Sequence, residues 1–158
     1  MLRESVHGVF FVTLKHISMG LLDDYTFSVG SPRPRKQHQR VMAKMFIQSF
    51  YELSDQGLEI LTEQTVTDDC RDLAPDLVVF DREGYPLTIV EITTHKELRS
   101  IIRKCYELIA RFPDSEYFVY DYEEMVLCQY DAESNHWLSS EEDTLYSQYL
   151  SKPLIEYF

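Results

Sequence analysis

Residues Leu73 to Ile109 read "LAPDLVVFDREGYPLTIVEITTHKELRSIIRKCYELI", and the fold turns on how this stretch is divided. Two short apolar runs, "PDLVVF" (75–80) and "LTIVEIT" (87–93), flank the loop "DREGYP", whose residues are those of a turn. Apolar runs without alternation predict strands covered on both faces, as beneath helices. A period of three to four residues then takes over: Leu98, Ile101, Ile102, Cys105, Leu108, Ile109 and Phe112 form one helical stripe, closed by Pro113. Thr94-His95-Lys96-Glu97 matches the S/T-x-x-E capping box, which predicts a helix starting at Thr94. Two acids sit uneasily in this apolar setting, Asp76 at the head of the first run and Glu91 inside the second. A carboxylate buried there is costly unless something pairs with it. Taken alone, Asp76 reads as a strand-initiating residue that bonds nearby backbone N–H groups.

Upstream, "KQHQRVMAKMFIQSFYELSDQG" is an amphipathic helix, with Val41, Met42, Met45, Phe46, Phe50 and Leu53 on one face and Gly57 as its stop. Residues 58–66, "LEILTEQTV", have strand composition. Residues 6–14 and 25–29 read as short strands, and "GSPRPR" (30–35) breaks regular structure. Downstream, 116–122 is a strand, and 125–130 with 135–139 form a hairpin around the turn "DAES". From residue 36 the order is helix, strand, strand, strand, helix, strand, then the hairpin. That order predicts an α/β sandwich with a mixed sheet. No linker or repeat interrupts it, so 1–158 is expected to form one domain with its core at 36–122.

Composition excludes a disordered chain: 44% of residues are hydrophobic and 13% aromatic. No apolar run is long enough to span a membrane, and the three cysteines (Cys70, Cys105, Cys128) show no zinc spacing. Reduced thiols in a cytoplasmic protein are the expectation. The net charge of −12 argues at first against nucleic acid, but it is unevenly placed. Residues 113–158 hold eleven acids and one base, whereas 1–112 hold sixteen acids and fourteen bases. The bases cluster as Arg33, Arg35, Lys36, Arg40 and Lys44, and as Lys96, Arg99, Arg103, Lys104 and Arg111.

If the strands bearing Asp76 and Glu91 form a hairpin, their carboxylates meet at the same end of it. With the carbonyl of Ile92 they make an oxygen-rich site suited to Mg²⁺ or Mn²⁺.

This spacing, within this element order, resembles the PD-(D/E)xK restriction-endonuclease-like superfamily, and more narrowly its Uma-two family. The matching stretches are "SPRPRKQHQRVMAKMF", "TEQTV", "APDLVVF", "IVEIT" and "RKCYELIARFPDSEYFVYD". The resemblance implies a restriction-endonuclease-like fold and makes Asp76 and Glu91 the metal ligands. It puts Glu63 near the metal or its waters, and His38 or Gln39 in a supporting role. The superfamily's lysine is absent, because Thr93 stands two residues after Glu91. In the family pattern the lysine comes instead from the following helix, where Lys104 matches, with Lys96 the other choice. At about 100° per residue Lys104 borders the apolar stripe, while Arg103 points nearly opposite to it.

The function expected is Mg²⁺- or Mn²⁺-dependent cleavage of a phosphodiester in nucleic acid, DNA foremost, with the bases that begin the first helix (Arg33, Arg35, Lys36 and Arg40) and those that line the second contacting phosphates. A homodimer is expected from the aromatic hairpin at 125–139. The alternative is a dimeric interaction or binding module that keeps the fold without the chemistry, and a hydrolase of nucleotides is a third reading.

Overall fold

The computed structural model describes residues 36–67, 69 and 73–158. The expected strands at 6–14 and 25–29, the break at 30–35, Arg33, Arg35 and Cys70 lie outside the described residues.

Helix α1 (Lys36–Asp55) is followed by β1 (Glu59–Thr62), β2 (Leu77–Phe80), β3 (Pro86–Thr93), α2 (Leu98–Arg111), β4 (Glu116–Asp121), β5 (Val126–Asp131) and β6 (His136–Ser139), with a 3₁₀ turn at Leu154–Tyr157. The strands form one six-stranded sheet in chain order. Four of the pairings are antiparallel, and β3–β4 is parallel because α2 makes the crossover between them. This is the mixed sheet flanked by helices that the element order predicted.

Local chemistry explains the boundaries. α1 buries Met42, Met45, Ser49 and Leu53, and the Ser49 hydroxyl is satisfied by donating to the Met45 carbonyl at 2.8 Å. Its stop is Gly57, at φ 75°, where a Cβ would collide with the Arg82 guanidinium. Every residue of β2 is buried, as are all but Leu87 of β3, which accounts for their unbroken apolar sequence. The start of α2 differs from expectation. It begins at Leu98, with Glu97 as its N-cap and no capping side-chain hydrogen bond. The Thr94 carbonyl accepts the Glu97 and Leu98 N–H groups, and the Thr94 hydroxyl faces the Glu97 carboxylate at 3.4 Å. Thr94 is buried at the end of the strand's run, so the two capping side chains meet each other and not the backbone.

Strand alternation sorts the core onto two faces. Val79, Val90, Ile92, Phe118 and Tyr120 pack with α1 and with the C-terminal Leu154, Tyr157 and Phe158; the Tyr120 and Phe158 rings stack at 4.1 Å. Val78, Phe80, Ile89 and Tyr117 pack with Leu108 of α2 on the opposite face. Glu91, one residue from both Val90 and Ile92, therefore points to the α2 side. On β5–β6, Tyr130 and Trp137 make ring contacts with each other and with Tyr106 of α2, so part of that aromatic hairpin surface is occupied within the chain.

Candidate functional site

The β2–β3 hairpin sets the site. Leu77 pairs with Val90, so the next position outward brings Asp76 opposite Glu91 at one end of the hairpin. The two acids then meet different partners. One Asp76 carboxylate oxygen, Oδ2, accepts the Ile92 backbone N–H at 2.6 Å and lies 3.1 Å from His38 Nε2. The bland reading of Asp76 as a backbone-bonding residue is thus part of what it does.

Glu91 is 2% exposed, deep in the sheet's central region. Lys104, in the second turn of α2, extends to it and places Nζ 2.6 Å from Glu91 Oε1. The same ammonium donates to the Ala74 carbonyl at 3.2 Å. The approach to Glu91 is an ion pair by distance without the angle of a hydrogen bond, and Oε1 has no hydrogen-bond partner among the described residues. Burial pushes the Glu91 carboxyl up to about 7; Lys104 opposes that rise and the nearby Asp76 charge adds to it. His38 shows the opposite balance. Burial pulls its imidazole down, but the hydrogen bond and charge of Asp76, aided by Glu63 and the Ile92 carbonyl, leave its pKa raised.

The remaining expected residues are placed as follows. Gln39 donates to the Glu63 carboxylate at 3.2 Å, and the Glu63 N–H donates to the Asp76 carbonyl at 3.0 Å. Glu63 holds a left-handed backbone, φ 50°, where the chain leaves β1. Thr93 is buried, with its hydroxyl on the Thr94 carbonyl. Lys96 is exposed and makes no contact with Glu91, whereas Lys104 does. Lys36 and Arg40 are exposed on α1. Asp121, the partner of His95, is a residue that sequence reasoning passed over. Asp121 is 2% exposed, pairs with Thr93 across β3–β4, and has Oδ2 3.2 Å from Nδ1 of the exposed His95 ring. The parallel register that joins these two residues has no local signature in the chain.

Among the described residues, no group of three or more His, Cys, Asp and Glu is spaced to hold a metal ion. A cation at this site would rest on the two carboxylates and on backbone or water oxygens. The donor chemistry fits a hard cation that takes oxygen ligands: Glu91 is a buried carboxylate and a second carboxylate stands across the hairpin. Glu91 Oε1 is, however, held by the Lys104 ammonium at 2.6 Å, which a cation would have to displace or share the carboxylate with.

No family model matches the chain, and no curated protein matches it. Among solved structures, the chain is similar to one from Anabaena variabilis described as "a putative nuclease belonging to DUF820", with a TM-score of 0.60 and 15% sequence identity over 82% of this chain and 86% of that one. At that identity the likeness shows the fold: a mixed six-stranded sheet flanked by helices, an α/β architecture shared with that protein. No helix among the described residues is long and apolar enough to cross a membrane.

Proposed function

We propose that this chain is a divalent-cation-dependent phosphodiesterase acting on nucleic acid, with Asp76 and Glu91 as the cation ligands and Lys104 as the catalytic cation. The observation that carries the reading is a buried, ion-paired Glu91 facing Asp76 across one hairpin, with a lysine delivered from the crossover helix. A buried acid next to a second acid and a lysine is expensive to maintain, and such arrangements concentrate at active sites. The shared fold with a protein described as a nuclease supports the same reading. So does the resemblance to the PD-(D/E)xK superfamily.

Bound between the acids, Mg²⁺ or Mn²⁺ would supply Lewis-acid stabilisation of a phosphoryl oxygen and lower the pKa of a bound water. The chain's own groups do the rest. The Ile92 N–H and His38 hold the Asp76 carboxylate in one orientation, so one of its oxygens is committed to positioning. Glu91 must lose its proton before it can serve as a ligand, and its burial, which raises that pKa, makes the proton a competitor of the cation. Lys104 carries a positive charge into a site closed on the sheet side, where it can donate to a phosphoryl oxygen as negative charge develops there. Thr93 has no charge to offer for that purpose, and Lys104 takes the place the missing lysine would hold.

A second reading is a binding module that keeps the fold without chemistry; Thr93 and the acidic stretch 113–158 favour it. Thermal melting of wild type and Asp76→Asn with and without Mn²⁺ separates the two. Asn keeps an oxygen for the Ile92 N–H while losing the charge. A ligand at about 100 times its Kd adds roughly 2.7 kcal/mol to the folded state, worth several degrees at this size. A rise in wild type that vanishes in Asp76→Asn supports the enzyme. Absence of a rise in wild type leaves the binding module.

A further inference from the structure

Two groups of bases could meet a nucleic acid, one on each helix, and the geometry separates them. On α1, His38 faces Asp76. Residues two apart on a helix are turned by about 200°, so Lys36 and Arg40, on either side of His38, point away from the site. On α2, Lys104 turns inward to Glu91, and Arg103, about 100° round the helix, is exposed beside it. Arg99 and Lys96 continue that exposed side toward the start of the helix. None of Lys96, Arg99 and Arg103 pairs with an acid among the described residues. The helix start that they surround carries Glu97 at its N-cap, without a side-chain capping hydrogen bond.

We infer that this side of α2, marked by Lys96, Arg99 and Arg103, is the track for the DNA phosphate backbone, and that Lys36 and Arg40 are not part of it. The inference rests on the nuclease reading and adds to it the direction from which the substrate arrives. Two unpaired cations on the helix that also delivers Lys104, Arg99 and Arg103, and a third, Lys96, in the turn that leads into it give the complementary charge next to the acids that would act on a phosphate.

The test is fluorescence anisotropy of a labelled duplex DNA of about 20 base pairs in Ca²⁺ buffer, titrated at several salt concentrations. Wild type is compared with Lys96→Ala/Arg99→Ala/Arg103→Ala and with Lys36→Ala/Arg40→Ala, each first shown by melting to be folded. The α2 variant is expected to bind at least about tenfold more weakly at low salt, with a salt slope shallower by about two to three, as loss of three phosphate contacts requires. The α1 variant should stay within about twofold of wild type. Equal losses in both variants, an unchanged α2 variant, or a wild type that does not bind the duplex would each overturn the assignment. The Mn²⁺ melt reads the metal site separately: a failed melt with α2-dependent binding removes the catalytic reading and keeps the track, and the reverse result removes only the track.

Discussion

Lys104 and Glu91 are joined across the gap between the crossover helix and the sheet, 2.6 Å apart, with the lysine side chain 25% exposed and the glutamate 3%. The asymmetry matters. The lysine can retreat toward water, whereas the glutamate cannot, so loss of the pair falls on Glu91.

Lys104→Met should therefore cost stability in a pH-dependent way. Breaking a buried pair by removing one partner costs about 3–5 kcal/mol when the other charge is stranded. Here Glu91 can take up a proton, which reduces the loss to roughly 1–3 kcal/mol near pH 8 and to less near pH 5.5. Urea melts at the two pH values check this; an equal loss at both would show that Lys104 contributes packing and not charge.

Glu91 and His38 together set the pH profile of the folded protein without metal. The folded carboxyl of Glu91 is raised to about 7 from an ordinary value of 4.5, so between those values the native state binds more protons than the unfolded chain. Stability from this group falls as pH rises across that window and is flat above it. The raised imidazole of His38 acts in the same direction, its contribution complete below about 6.5 and lost as pH passes its folded value. Stability should thus decline from mildly acidic to neutral pH, and Glu91→Gln should flatten most of that slope in melts run from about pH 4.5 to 8.

Mn²⁺ stabilisation should run the other way. A cation competes with the proton on Glu91, so the Mn²⁺-induced rise in Tm is expected to be small near pH 5.5 and to grow towards pH 8. A rise independent of pH would place the ion elsewhere on this acidic chain.

On the α1 face of the sheet, opposite to the one Glu91 faces, Leu154→Ala tests whether the C-terminal segment is part of the core. Leu154 is 0% exposed and packs with the α1 side of the sheet, so truncation should cost about 2–5 kcal/mol in chemical denaturation. A cost under about 1 kcal/mol would mean that this segment merely rests on the surface.

Much of this arrangement is legible in the residues themselves. The loop "DREGYP" between two apolar runs announces the hairpin that brings Asp76 and Glu91 to one end, but the exact facing of the two acids depends on a one-residue register shift between Val79 and Phe80 that the sequence does not signal. The angle of Lys104 on its helix is equally local, and it separates Lys104 from Arg103. What escapes the reading depends on distant pairing. The approach of Asp121 to His95 needs the parallel β3–β4 register, set by a crossover of a whole helix. The burial of Ser49 depends on the sheet beneath α1, and it is tolerated because the hydroxyl bonds within its own helix. The capping box failed for a subtler reason: the pattern is present, but the backbone of Thr94 had already taken the N–H groups its side chain was expected to help arrange.

The position of β3, third of six strands and paired on both sides, has a consequence for motion. Its amides can exchange with solvent only when the middle of the sheet opens, so the backbone beneath Glu91 belongs to the slowest-opening part of the molecule. Lys104 reaches the same point on a four-carbon stem from a helix surface. Adaptation to a bound substrate then falls to the lysine side chain, which can swing within nanoseconds while the acid stays fixed, a hard anvil under a soft hammer.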